Sequence, residues 1–399
     1  MLHGGNGRMA GKKTSVIAEM INDNIDVQYD EFSNEINIMK GEVFVNENVE
    51  IEPGRMTDNK AILLQTLLER KYDIALTSSK LYEAIAMAAS QNVYSSAYDW
   101  IESKQWDGKP RLWDIANKVF GNDNPDMNKA VGIWILNLVN GAYGGDTGKF
   151  QYSLDIIGQQ GTGKTTFLKR LGGSYYTDQF MSFTQKDSFE VMLKNLVIND
   201  DEMQVTEISR EKAFKKFVST SEFTYRPAYG RNPLVKSRHF VIARTTNDYE
   251  YLTDVGGNRR IIPLIVNKKK IVTPAFSLSD DWFENVLGEA KEYYIKQDAS
   301  VAHVNNEMGR INFDAINSNL NVYAEIDDAI LDVVANDYVG VERIPVTGLQ
   351  TNVEQYLYNN MIEYDSRKLK KMINDVMNRE DYIKKPVWVN GKSVRAYVK

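Results

Sequence analysis

The run Leu154-Asp-Ile-Ile-Gly-Gln-Gln-Gly-Thr-Gly-Lys-Thr-Thr-Phe167 constrains this chain more than any other part of it. Gly158, Gly163, Lys164 and Thr165 occupy the fixed places of the pattern G-x-x-x-x-G-K-[ST], and Gly161, Thr162 and Thr166 fill it out. A short apolar piece, Tyr152 to Ile157, leads in as a buried strand, and good helix formers, Thr166 to Leu171, lead out. Strand, glycine turn and helix start together aim backbone N–H groups at one point, which suits phosphate oxygens. In such a loop Lys164 reaches β- and γ-phosphates, and the Thr165 hydroxyl ligates Mg²⁺. A nucleoside triphosphate, ATP with its Mg²⁺, is the expected ligand.

A phosphate loop alone fits a kinase, a GTPase or a motor ATPase. The strand Leu196-Val-Ile-Asn199 ends in Asp200-Asp201-Glu202, about 35 residues after Lys164. Motor ATPases need one acid at such a tip for the metal and a neighbouring carboxylate to polarise the attacking water. Asp201 is expected in the metal role and Glu202 as the base, with the register Asp200–Asp201 left open. A further strand, Phe240 to Ala243, leads to Arg244-Thr-Thr-Asn247, where Asn247 can sense the γ-phosphate. Gly256-Gly-Asn-Arg-Arg260 stands before the strand Ile261-Ile-Pro-Leu264. Arg259 or Arg260 on that glycine turn can reach across a subunit boundary to charge on the transferred phosphoryl group.

At 399 residues the chain exceeds one core, and its divisions are read as 1–105, 106–322 and 323–399. The absence of cysteine excludes disulfide staples and suits a reducing bacterial cytoplasm, the expected location. Three scattered histidines, His3, His239 and His303, exclude a zinc-hydrolase constellation. The longest uncharged run, Ala130 to Gly145, is too short for a membrane span, and its apolar part, Val131 to Val139, reads as a buried helix. The first fifteen residues carry no hydrophobic signal core and read as a flexible leader.

The net charge of −6 conceals a strong asymmetry. Thr14 to Lys60 holds eleven acidic residues against three basic, whereas Ser209 to Arg238 holds eight basic against two acidic. In that basic stretch Lys212, Lys215 and Lys216 read as helical, and Arg226, Tyr229, Arg231, Lys236 and Arg238 as loop or hairpin. Cations interleaved with Tyr225 and Tyr229 suit single-stranded DNA, charge for phosphate and rings for bases. Ser366 to Lys399 holds ten basic residues against three acidic. There an amphipathic helix, Arg367 to Asn378, precedes two strands joined by Asn390-Gly391, the strongest hairpin dipeptide. Helices followed by a closing hairpin suggest a winged helix. Around residues 14–55 short apolar pieces predict a small strand-bearing unit, and helical spacing follows from Thr57 to Ser90.

Strands alternating with helical stretches from Tyr152 onward predict an α/β fold with a mostly parallel sheet. The order of parts also resembles a known family. Lys104-Gln-Trp-Asp-Gly-Lys-Pro-Arg-Leu112, the phosphate loop, the acidic strand tip, Tyr225-Arg-Pro-Ala-Tyr-Gly-Arg231, Thr245-Thr-Asn247 and Gly257-Asn-Arg-Arg260 follow one another. The series resembles the virulence-associated protein E family of P-loop ATPases, found in phages and mobile islands and related to superfamily 3 replicative helicases. The resemblance covers roughly residues 58 to 268. It implies an ASCE/AAA+-like P-loop core that forms a homo-oligomeric ring, commonly a hexamer, and translocates on single-stranded DNA. By position it implies Lys164 and Thr165 for phosphate and Mg²⁺, Asp201 and Glu202 as the acidic pair, Asn247 as sensor and Arg259 or Arg260 as finger. Arg244 departs from the family, whose members tend to have a small residue there. The acidic front lacks an evident carboxylate triad for a primase.

The expected activity is thus an ATP-dependent DNA helicase acting in replication initiation, with the C-terminal unit engaging origin duplex DNA. The rival reading is an ATP-regulated initiator or switch with little unwinding. A third, a metabolic kinase, fits poorly with the Glu202 base, the paired arginines and the basic loop.

Overall fold

Four of the apolar runs, with a two-residue strand beside them, form one sheet in the computed structural model. The strands are β1 (Ser153–Ile157), β2 (Tyr176–Thr177), β3 (Val197–Asp200), β4 (Val241–Thr246) and β5 (Ile261–Ile265). The structure describes residues 13–145, 147–209, 211–225, 233–247, 260–297, 301–313, 326–327, 329–362, 364, 366–389 and 392–399. The sheet order is β5-β1-β4-β3-β2 and every pairing is parallel. All residues of β1, β3 and β4 are buried, which is why their apolar residues fall on both faces without strict alternation. Pro263 is tolerated because β5 lies at the sheet edge.

Helix α1 (Pro125–Ala142) starts on an Asn124 cap with Pro125 at its first position. Residues Val131 to Val139 of α1 are all buried, as the run predicts, and the Trp134 indole donates to Ile242 O at 2.9 Å. Helix α2 (Lys164–Gly172) follows β1, and α3 (Gln204–Ser209) and α4 (Glu211–Val218) follow β3. Helix α5 (Asp280–Gln297) packs on α1 and α2.

Arg244 finds its counterpart in Asp155. The two are register partners on β4 and β1, both are fully buried, and Arg244 Nε donates to each Asp155 carboxylate oxygen at 3.1 Å. Ser153 Oγ donates to the same carboxylate at 2.8 Å, and the guanidinium lies 3.6 Å from the centre of the Phe214 ring. A small residue at 244 would leave Asp155 a buried charge without its arginine.

The front unit has its own core, with Ile17, Leu64, Leu67 and Ile85 in it, under a four-stranded sheet. Its helices Asp58–Tyr72 and Ser78–Ala89 start on Thr57 and Thr77 caps. Helix Ser96–Glu102 belongs elsewhere: Ala97 and Ile101 pack in the core of the central sheet. The break in packing thus falls before Ser96, not at residue 105. Asp30 is buried as a connector, accepting from Phe32 N, Ser33 Oγ, Ser96 N and Ser96 Oγ.

The C-terminal unit runs as helical residues 329–337, strand Arg343–Pro345, helices Val346–Asn359 and Ser366–Arg379, then strands Ile383–Val389 and Lys392–Val398. The last strand is central, antiparallel to both others. Val389 pairs with Lys392, so the connection is two residues, though Asn390 and Gly391 themselves lie outside the described residues. Leu349, Val353, Leu369, Ile373 and Tyr397 fill its core. Helix Val346–Asn359 follows directly on the short strand Arg343–Pro345, which sequence spacing does not reveal. Most of the expected leader, residues 1–12, lies outside the described residues. Among the described residues no helix is long and apolar enough to cross a membrane.

Removing one partner of a buried ion pair leaves a naked charge, which costs about 3–5 kcal/mol. Arg244→Ala is therefore expected to lower the unfolding free energy of the central unit by that order, and Arg244→Met with Asp155→Leu to recover most of the loss. Unfolding curves of the three proteins check this; equal losses in the single and double variants would remove the pair from the stability argument.

Candidate functional site

Because β1, β4 and β3 are parallel neighbours, the segments that follow them emerge at one edge of the sheet. After β1 comes the glycine loop. Gly158 N donates to Thr246 O at 3.1 Å, and a Cβ on Gly158 would stand 2.7 Å from Val266 Cβ. Gly161 and Gly163 have φ of +78° and +84°, a region side chains rarely adopt. Gly163 is the N-cap of α2, whose first-turn N–H groups have no acceptor within the helix.

Lys164 is buried, and its Nζ donates to Gly158 O at 2.5 Å, Gln159 O at 3.2 Å and Asn247 Oδ1 at 2.8 Å. Burial lowers its pKa, while the charges of Asp201 and Glu202 oppose that shift. An ammonium held this way, on neutral oxygens, is poised for a stronger anion.

Asp200 and Asp201 separate cleanly. Asp200 is buried and accepts from Val205 N (2.8 Å), Thr206 N (2.8 Å) and Thr206 Oγ1 (2.6 Å), fixing the start of α3. Burial raises its pKa, and those hydrogen bonds oppose the rise. Asp201 turns the other way and accepts on Oδ1 from Thr165 Oγ1 (2.6 Å), Thr245 Oγ1 (2.7 Å) and Asn199 Nδ2 (3.2 Å). The carboxylate beside Thr165 is thus Asp201. Glu202 is exposed in a left-handed conformation, φ +52°, with its N–H donating to Thr245 Oγ1 at 3.0 Å. Such a non-glycine residue costs about 1–3 kcal/mol, which the neighbouring contacts must hold.

A hydroxyl and a carboxylate 2.6 Å apart fit one edge of a Mg²⁺ octahedron. Metal–oxygen distances of about 2.0–2.1 Å put adjacent ligands roughly 2.9 Å apart, so a few tenths of an ångström would admit the ion. Thr162, whose hydroxyl donates to Gln159 O at 2.9 Å, braces the loop; Thr166 is half-buried on α2.

The other expected site residues lie apart. Arg260 precedes β5, where Ile261 pairs with Ser153, so it stands at the sheet edge opposite the glycine loop and donates to Ser219 Oγ. It lines a 580 Å³ cavity with Lys149, Tyr152 and Arg310. Arg259 lies outside the described residues, as do Arg226, Tyr229 and Arg231, which follow strand Glu222–Tyr225 of a hairpin closed by Leu234–Ser237. Lys216 is exposed and Lys215 half-exposed on α4.

Three residues expected at DNA are corrected. Arg238 is buried, donating to Val218 O (2.8 Å), Thr147 O (3.1 Å) and Phe150 O (2.6 Å), because its chain enters the core three residues before β4. Lys236 Nζ donates to Glu31 O and, at 3.3 Å, Phe32 O of the front unit; burial lowers its pKa. Tyr225 is buried, its hydroxyl accepting from Asn34 Nδ2 at 3.3 Å.

Sequence reasoning missed Thr245 and Asn199, which hold the Asp201 carboxylate, and Tyr176, whose hydroxyl accepts from Asn199 Nδ2 at 3.0 Å. Only Thr245 carried a signal, as part of the Thr-Thr-Asn strand tip. The virulence-associated protein E-like domain matches residues 101–321, more than half of the chain and all of this edge. The chain belongs to that family. Among solved structures, two apo A-form structures of the NrS-1 C terminal region are similar to this family member. One is 14% identical over 96% of this chain and 98% of its own, with a TM-score of 0.43. The other is 15% identical over 97% and 100%, with a TM-score of 0.42. No curated protein matches the sequence.

The two aspartates separate by experiment. Asp200→Ala, which strips three buried donors of their acceptor, is expected to cost about 1–3 kcal/mol of stability. Asp201→Ala should cost less, since Thr165 can turn to solvent, Asn199 Nδ2 keeps its bond to the Tyr176 hydroxyl and Thr245 Oγ1 keeps the Glu202 N–H. Denaturant midpoints of the two variants decide; a larger loss for Asp201 would reverse the assignment.

Proposed function

We propose that this virulence-associated protein E-like chain is a P-loop ATPase of the ASCE/AAA+ type, encoded by a phage or mobile element, that moves on single-stranded DNA during replication initiation. The observation that carries the reading is the meeting of Lys164, Thr165, Asp201 and Asn247, from three parallel strands, on one glycine loop. Ligands of open parallel sheets bind at the carboxyl ends of the strands.

In this reading the loop N–H groups and Lys164 hold the phosphates, exchanging the carbonyls of Gly158 and Gln159 for phosphate oxygens. Thr165 and Asp201 hold Mg²⁺, which supplies charge neutralisation at the phosphates when bound. Glu202 accepts a proton from the attacking water, and Asn247, already on Lys164 Nζ, orients the γ-phosphate end.

Arg260 cannot serve its own loop. A five-residue strand separates them, about 16 Å of rise. An arginine at that edge suits a neighbour's loop in a head-to-tail ring, a hexamer by family likeness. In the same reading Arg226, Tyr229 and Arg231, with Lys215 and Lys216, contact the single strand. The C-terminal unit, with helix, strand, two helices and hairpin in that order, suits a winged helix, and its basic helix Ser366–Arg379 suits origin duplex DNA.

Two inactive proteins test the arrangement. Lys164→Ala and Arg260→Ala are each expected to lose ATP turnover about 10³-fold or more while keeping their melting temperatures. Mixed, they form junctions with an intact loop from one copy and an intact arginine from the other, so hydrolysis should reappear. Co-assembly without recovery would sink the shared site, and undiminished turnover in Lys164→Ala would sink the ATPase. Strand displacement on forked DNA then distinguishes a helicase from a switch.

A further inference from the structure

The glycine loop has two sides. On the β4 and β3 side stand Asn247, Thr245 and Asp201, all suited to the metal and γ-phosphate end of a nucleotide. A nucleoside attached to the other end of the phosphate chain must therefore leave toward β5, the neighbour of β1 on its opposite flank. The segment after β5 covers that flank. Val266 lies against Gly158, and Ala275 lies against Gly163, its Cβ 3.0 Å from a Cβ built there.

That segment is fixed rather than loose. Val272 N and Thr273 N donate to Lys118 O at 2.9 and 3.0 Å, and Arg170 of α2 holds Leu278 O and, at 2.7 Å, Asp280. Its apolar residues divide into two sets. Val266, Ala275 and Leu278 are buried, whereas Val272 and Phe276 are 67% and 63% exposed. Phe276 is thus an aromatic ring in solvent, one residue from the contact with the loop, on a turn (Ala275–Ser277) closed by Ser277 Oγ donating to Pro274 O at 2.8 Å.

We propose that Phe276 is the platform on which the base of the bound nucleoside triphosphate stacks. This rests on the phosphate-loop reading and adds the nucleoside end of the site. A base has an aromatic face to bury and the phosphates do not, so the ring acts on nucleotides and is indifferent to phosphate alone.

Titrations with ATP and with inorganic tripolyphosphate test this on the full chain. Phe276→Ala should weaken ATP binding roughly 5- to 100-fold and leave tripolyphosphate binding unchanged. Phe276→Trp should keep ATP affinity, with indole fluorescence that changes on ATP and stays constant on tripolyphosphate. ATP affinity within twofold of the parent in Phe276→Ala, while both ligands bind the parent, overturns the platform and leaves the loop standing. If the parent protein binds neither ligand, the loop reading falls and the platform falls with it.

Discussion

One constraint governs the central unit: β4 lies between β1 and β3. Had β1 and β3 been adjacent, the glycine loop and Asp201 would meet without a strand between them. With β4 inserted, Thr245 and Asn247 stand between loop and acid, one bonded to Asp201 and the other to Lys164. The insertion also brings Arg244 onto Asp155, the pair that joins the two strands beneath the site. Burial of three consecutive strands leaves no room for that arginine without a carboxylate across the ladder.

The electrostatics of the edge follow from the same packing. Asp200 spends its charge on α3 and is taken out of the site, whereas Asp201 has hydroxyl and amide donors and no ammonium within its hydrogen bonds. Lys164 is desolvated but bonded to carbonyl oxygens and an amide. Cation and anion are held apart on neutral partners instead of neutralising each other. That arrangement preserves the attraction of Lys164 for an arriving anion and of Asp201 for an arriving cation.

Much of the sheet was legible because parallel strands buried on both faces leave continuous apolar runs, as at Leu154–Ile157 and Leu196–Asn199. The strand Tyr176–Thr177 was not, since two residues carry no period and owe their conformation to pairing with β3. The glycine loop, Lys164, Thr165, Asp201 and Asn247 were legible as a spaced series, and the structure brings them together. Of the other partners of Asp201, Thr245 showed only as part of the Thr-Thr-Asn strand tip, and Asn199 acquires meaning only when its strand is set in register. Charge counting failed at Arg238 and Lys236. A basic stretch reveals nothing about which cations turn inward, and these two sit where the hairpin returns to the core, within reach of backbone carbonyls.

The hairpin's attachment has a mechanical consequence. Tyr225 on one strand and Lys236 on the other are both fastened to the turn at residues 31–34, and Phe32 of that turn is wedged against Tyr175 and His239. The base of the hairpin is thereby tied to the front unit. A shift of those two strands must therefore carry the small front sheet along or tear out that wedge, so the acidic front of the chain serves as the anchorage of a basic arm.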